Sequence, residues 1–175
     1  MLCWLKESER VTRMRIIVTA DTHLPLGQRK LPDRLLEACE SADLILHAGD
    51  WKSPDVYAEL SRFAEVKGVF GNVDGDDIRK LFPEQQIIET AGHRIGLVHG
   101  HGKKQTTEKR ARDAFLNEEL DMIIYGHSHI PHLRYYGKTM LLNPGSPTDK
   151  RKLPLYSFAV LTIGETIHTE FIFFS

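Results

Sequence analysis

Apolar runs too short for helices alternate along the first half of the chain with stretches whose apolar residues recur every three or four positions. RIIVTA (15–20), DLILHAG (43–49) and VKGVFG (66–71) have the β-branched and aliphatic make-up of strands. Between them, LPDRLLEACESA (31–42) and SPDVYAELSRFA (53–64) carry the helical period. The second has Ser53 as its N-cap and Pro54 at its first position. A short helix is expected from Asp76 to Phe82. Strands joined by helices need crossover connections, so this half predicts a largely parallel sheet.

The pattern changes after residue 84. QQIIETAGHRIGLVHG (85–100) reads as a hairpin turning at Gly92, TTEKRARDAFLNEE (106–119) as a helix and DMIIYG (121–126) as a strand. HLRYYGKTMLLNPG (132–145) is a second hairpin, turning at Gly137-Lys138. YSFAVLTIG (156–164) and TIHTEFIFF (166–174) are the final strands. So many late strands with few helices predict a second sheet packed on the first. The expected fold is α/β, with two mixed β-sheets packed as a sandwich and flanked by helices.

At 175 residues the chain is expected to form one domain, residues 14–175. Residues 1–13 differ in composition and form an N-terminal extension, and Met14 is an alternative translation start. A chain near 150 residues buries about 70% of its unfolded surface, so the core needs neither metal nor disulfide to hold it. Cys3 and Cys39 make no disulfide framework, and Cys39, in an amphipathic helix, reads as a small buried thiol in a reducing compartment. No apolar run is long enough to cross a membrane. MLCWL is too short for a signal-peptide core, and a cytoplasmic location is expected. The formal net charge of −1 disfavours a nucleic-acid partner.

The candidate chemistry lies at the strand ends. The first strand runs into Asp21-Thr22-His23, the second into Asp50, the third into Asn72-Val73-Asp74, RIGLV into His99-Gly100-His101, and DMIIYG into His127-Ser128-His129. In open α/β sheets, ligands bind beyond the carboxyl ends of the strands. Positions i and i+2 of an extended segment face the same way, so Asp21 with His23, and His127 with His129, are each expected to form a two-ligand claw. Gly49, Gly71, Gly100 and Gly126 stand beside the candidates and permit tight turns and close approach. Taken alone, an HxH more often marks packed or hydrogen-bonded histidines, and a GD or GN marks a turn. Five such elements in succession, each ending a strand, point to a metal site.

The series D-x-H, G-D, G-N-x-D, H-G-H and G-H-x-H, with the later NPGS (143–146), resembles the calcineurin-like metallophosphoesterases, and among them the small single-domain phosphodiesterases of the YfcE type. The resemblance implies one metal held by Asp21, His23, Asp50 and His129. It implies a second held by Asp50, Asn72, His99 and His127, with Asp50 bridging. A donor set of imidazole, carboxylate and amide without thiolate suits Mn²⁺, with Ni²⁺, Fe or Zn²⁺ as alternatives. Two divalent cations against two carboxylates leave an anion trap. The expected reaction is phosphoester hydrolysis by a metal-bridging hydroxide. Its substrate is expected to be a small phosphodiester or nucleotide-like compound.

One position departs from the family pattern. Many relatives carry His where Val73 stands, and that imidazole is assigned to protonating the leaving group or binding phosphate. Losing a general acid costs a factor of about 10²–10⁴, less for leaving groups already stable as anions, which favours phosphodiesters over alkyl monoesters. His101 is the nearby substitute acid or phosphate contact, with a solvent-facing His as the plainer reading. Catalysis is therefore expected to turn on Asp50, Asn72 and His101. A phosphomonoesterase and a non-catalytic scaffold of the same fold are the alternatives.

Asp74 reads as a residue that orients a ligand. Asn143 and Ser146 read first as turn formers. His47 reads as a packed core histidine, while His93 and His132 are expected to be exposed and His168 carries no signal. Lys103, Lys104 and Arg151 belong to basic clusters that flank the candidate ligands in sequence. Tyr135 and Tyr136 are explained by strand alternation, or else by a surface for a homo-oligomer.

Overall fold

The computed structural model describes residues 13–25, 27 and 30–175. The expected extension at 1–13, except Arg13, lies outside the described residues.

Every expected strand and helix forms. They run β1 (Met14–Thr19), α1 (Asp33–Cys39), β2 (Leu44–His47), α2 (Pro54–Leu60), β3 (Glu65–Gly68), α3 (Asp76–Leu81), β4 (Gln85–Thr90), β5 (His93–Val98), α4 (Thr107–Asp113), β6 (Met122–Ile124), β7 (His132–Tyr136), β8 (Thr139–Asn143), β9 (Tyr156–Ile163) and β10 (Ile167–Phe174). Ser53 caps α2 by accepting from the Asp55 N–H at 3.1 Å, with Pro54 at the first helical position. Thr106 likewise caps α4 by accepting from the Lys109 N–H. The helices are shorter than their periodic stretches because tight turns take over: α4 gives way to a bond from the Phe115 N–H to the Arg112 carbonyl.

The strands form two mixed five-stranded sheets, ordered β10-β9-β1-β2-β3 and β4-β5-β6-β8-β7. In the first, β1, β2 and β3 are parallel, while the last two strands return to pair antiparallel beside β1. The second contains β4 to β8, with β5, β6 and β8 parallel. Period-2 alternation sorts the side chains. Ile16, Val18, Leu44 and Leu46 face Leu97, Met122, Ile124 and Leu142 between the sheets. Ile17 and Ile45 point the other way, onto Leu35 of α1 and Val56 and Leu60 of α2. Each such side chain, fully buried, contributes about 1.5–3 kcal/mol. Cys39 sits in this outer layer, where burial pushes its thiol up to about 12.

Parallel strands deliver their carboxyl ends to one edge of a sheet, and here the two edges meet. The Asp21 N–H donates to the Gly49 carbonyl at 2.9 Å and the His23 N–H to the Asp50 carbonyl at 3.0 Å, tying the loops after β1 and β2. Gly126 N–H donates to the His99 carbonyl at 3.2 Å, tying the loops after β5 and β6. The His127 N–H donates to Asp21 Oδ1 at 3.1 Å and joins the two sheets.

Candidate metal centre

At this edge all seven sequence candidates converge. Two groups stand out among the described residues: Asp21, His23 and His129, and Asp50, His99 and His127, each with one ligand atom per residue within 4.8 Å of the others. In the first, His23 Nε2 is 3.2 Å from His129 Nε2 and 3.9 Å from Asp21 Oδ1, and His129 Nε2 is 3.6 Å from that same oxygen. In the second, His99 Nε2 is 3.2 Å from Asp50 Oδ2, and Asn72 Oδ1 lies 3.3 Å from His99 Nε2. Asp50 Oδ2 is also 3.4 Å from His23 Nε2, so one carboxylate oxygen touches both groups. Ligands bound at 2.0–2.2 Å to one ion sit roughly 3.0–3.5 Å from each other, which is close to the spacing found here.

The backbone at these residues is not extended. Asp21, His23, Asp50, His127 and His129 have φ of +54°, +46°, +60°, +67° and +58°. They lie past the last paired residues of β1, β2 and β6, in the left-handed region that costs a non-glycine residue of order 1–3 kcal/mol. The expected Asp21–His23 claw forms, while the extended backbone assumed for it and the His127–His129 claw are corrected. Left-handed turns aim Asp21 and His23 into one group and send His127 and His129 into different ones.

Neighbouring groups hold this strain in place. Asp74 accepts the backbone N–H groups of Asp50 at 3.0 Å, Lys52 at 2.7 Å and Gly71 at 2.7 Å, pinning the β2 loop as its orienting role required. Ser146 Oγ donates to the Asp21 carbonyl at 2.7 Å, and Thr148 Oγ1 donates to the Thr22 carbonyl at 2.5 Å. Asn143 Nδ2 donates to the Gly126 carbonyl at 2.8 Å and to Ser128 Oγ at 3.1 Å. NPGS is thus more than the turn it suggests, because both its polar side chains brace ligand loops. Gly49, at φ +89°, backs onto His99, whose Nδ1 would lie 2.8 Å from an added Cβ.

Tautomers are fixed the same way. The Nδ1–H of His99 donates to the Ala48 carbonyl at 2.7 Å and that of His129 to the Asp149 carbonyl at 2.6 Å, which leaves both Nε2 lone pairs facing the cleft. Sequence reading missed the Asp149 contact, since a backbone carbonyl leaves no mark in residue type. His47 is fully buried, accepts the Gly49 N–H at Nδ1, bonds Thr22 Oγ1 through Nε2 and stacks on Trp51 at 3.6 Å. It is the packed histidine expected. His93 and His132 are half-buried, against expectation: His93 bonds the Gly164 carbonyl and His132 the Tyr125 hydroxyl. Lys103 and Lys104 are exposed in the loop before α4.

Burial pushes the Asp21 carboxyl up to about 8, and its Oδ2 has no hydrogen-bond partner. Burial opposes the charge on Asp50 as well, but the hydrogen bond and charge of His99 and the Val73 N–H hold it down at about 2. Burial lowers His127 to about 4 and also lowers His23, His129 and His101. His99 goes the other way: burial is outweighed by its bond to Asp50 and the charge of Asp21. A buried carboxylate oxygen lacking a partner, beside the imidazoles of His23, His127 and His129 that burial favours neutral, fits divalent cations, and a cation would take the place of the proton His99 shares with Asp50.

Residues 14–166 match the family model described as the calcineurin-like phosphoesterase superfamily domain. The chain belongs to this family. It is 38% identical over 160 residues to a probable metallophosphoesterase of Methanothermobacter thermautotrophicus, covering 91% of this chain and 92% of that protein. The fold matches Vps29 of Entamoeba histolytica complexed with Zn²⁺, at TM-score 0.71 and 23% identity over 93% of this chain and all of that one. It also matches a structure described as a novel archaeal phosphodiesterase, at TM-score 0.69 and 21% identity over 92% of this chain and all of that one. The expected fold, two mixed sheets with few helices, is that of these neighbours. As a metallophosphoesterase the chain is a metal-dependent hydrolase of phosphoesters, and no helix among the described residues is long and apolar enough to cross a membrane.

Proposed function

We propose that the chain is a phosphodiesterase using two divalent cations joined by Asp50. The observation that carries this is the position of Asp50 Oδ2, 3.4 Å from His23 Nε2 in one group and 3.2 Å from His99 Nε2 in the other. Asp21, His23 and His129 would hold one cation and His99, His127 and Asn72 the other, with Mn²⁺ as the metal that suits these donors. Paired cations lower the pKa of water to near neutrality and neutralise charge on phosphoryl oxygens.

The protein residues complete the assignment. Val73 donates its backbone N–H to Asp50 Oδ1 at 3.1 Å, while its side chain has no proton to give. His101 is half-buried with an unpartnered Nδ1, its ring 5.5 Å from that of His99. Burial and the charge of His99 hold it neutral, so it serves as a hydrogen-bond contact to phosphate, not as a ready acid. A site without a protonated acid turns over diesters with stable leaving groups in preference to alkyl monoesters. A scaffold would not need two lone-pair clusters held in strained backbone.

The test is to strip the protein with chelator, restore Mn²⁺ and compare bis-p-nitrophenyl phosphate with p-nitrophenyl phosphate. Turnover that needs both Mn²⁺ and Asp50 and favours the diester is expected. Preference for the monoester would contradict the diesterase reading. No turnover of either, with Mn²⁺ not retained, would leave a scaffold.

A further inference from the structure

Three arginines stand beside the candidate centre, and two are committed to main-chain carbonyls. Arg79 Nε donates to the Asp74 carbonyl at 2.9 Å, and its guanidinium lies 4.2 Å from the Phe70 ring centre. Arg110 Nε donates to the Gly100 carbonyl at 2.8 Å, and its other nitrogens bond the Gln105 carbonyl and Thr107 Oγ1. Arg151 differs. Its Nη2 lies 3.1 Å from His129 Nε2 and its Nε 3.3 Å from His129 Nδ1, so the guanidinium lies along the imidazole at the cleft.

The loop after NPGS builds this contact on purpose-shaped backbone. Arg151 is left-handed, at φ +52°, a conformation that costs a residue with a side chain. Asp149 holds it twice: one oxygen accepts the Arg151 N–H at 3.3 Å and the other faces Arg151 Nε at 3.0 Å. The Asp149 carbonyl meanwhile takes the Nδ1–H of His129. Because that hydrogen is spent, the guanidinium packs along the ring, and Nε2 keeps its lone pair for a cation. A cation there repels the guanidinium, while the Asp149 tether keeps it at the rim. What a tethered guanidinium beside a cation centre suits is an anion with two oxygens to offer.

We propose that Arg151 is a catalytic residue: with cations bound, its guanidinium leaves His129 and forms paired hydrogen bonds to the non-bridging oxygens of the substrate's phosphoryl group. This rests on the reading of the site as a phosphodiesterase with two cations. It supplies positive charge to the transferring group in a site where Val73 supplies none.

Calorimetry with inorganic phosphate on the Mn²⁺-loaded protein tests it, alongside Mn²⁺ titration and bis-p-nitrophenyl phosphate kinetics, for wild type, Arg151→Gln and Arg151→Lys. Arg151→Gln is expected to weaken phosphate binding about tenfold and lower kcat/KM about 10²-fold, while Mn²⁺ binds as tightly as in wild type or more tightly. Arg151→Lys keeps the charge without the fork, so it should fall between. Phosphate affinity and kcat/KM within twofold of wild type in Arg151→Gln would overturn the proposal. Loss of Mn²⁺ in that variant would also overturn it, making Arg151 a support for His129. If wild type binds Mn²⁺ but prefers monoesters, the diesterase reading fails while a weakened phosphate affinity in Arg151→Gln still supports the clamp. If wild type takes up no Mn²⁺, both fall.

Discussion

Asp21 and Asp50 bring the same carboxyl group into one cleft, and their surroundings hold one at about 8 and the other at about 2. The difference sets a pH signature for the chelated protein. Asp21 ionises at 3.8 when unexposed to the fold and at about 8 inside it, so its contribution to stability is complete below about pH 4 and is lost as pH rises through about 8. The histidines lowered by burial act oppositely, losing stability as pH falls below 6.5, but they are common to wild type and variant. Asp21→Asn should therefore gain melting temperature relative to wild type steadily between about pH 5 and pH 8.5 when both are chelated. A constant offset would contradict the raised carboxyl. Asp74 makes a second prediction, because it alone satisfies three backbone donors. Asp74→Ala should cost about 2–4 kcal/mol in urea unfolding and weaken Mn²⁺ binding; an unchanged midpoint would show that the loop holds itself. Residue identity was legible in the sequence at this scale, since a carboxylate, amide or imidazole ending five strands is visible as letters. Backbone conformation was not: φ near +55° at Asp21 and His129 goes with hydrogen bonds that join these loops to Ser146, Thr148 and Asp149.

Elements were legible wherever a period ran clean and a turn residue closed it. The β4–β5 hairpin turns at Ala91 and Gly92, both with positive φ, and β7–β8 at Gly137 and Lys138, as glycine placement indicated. Pairing order was not legible, because β6 finds β8 before β7 and the last two strands cross back to β1, choices made by packing between sheets. Strand alternation also failed at Tyr135 and Tyr136. Both are exposed on the edge strand β7, where Arg112 lies 3.4 Å over the Tyr136 ring. The loop after β2 is the element most exposed to mutation. Gly49→Ala puts a Cβ 2.8 Å from His99 Nδ1 and onto a φ of +89°. That variant should lose several kcal/mol of stability and at least one equivalent of Mn²⁺, read by calorimetry and metal analysis. Full occupancy would mean the loop has room to shift.

For the whole molecule, the fold brings two sheet edges together and leaves uncompensated buried polar groups where they meet. Asp21 Oδ2 and His101 Nδ1 are both buried there without partners. Cations that bind only the folded chain offset this. Saturating one site at about 100 times its Kd adds about 2.7 kcal/mol, roughly 5–11 °C in Tm for a chain of this size. Chelation should lower Tm by at least that much and Mn²⁺ should restore it; a Tm insensitive to both would mean the edge is stable empty. The measurement that bears most directly on the central claim is the number and coupling of Mn²⁺ ions per chain, by metal analysis with electron paramagnetic resonance. Two ions per chain are expected, with the exchange-coupled spectrum of a carboxylate-linked pair that is lost in Asp50→Ala. One ion per chain, or two whose spectra ignore the loss of Asp50, would contradict that claim.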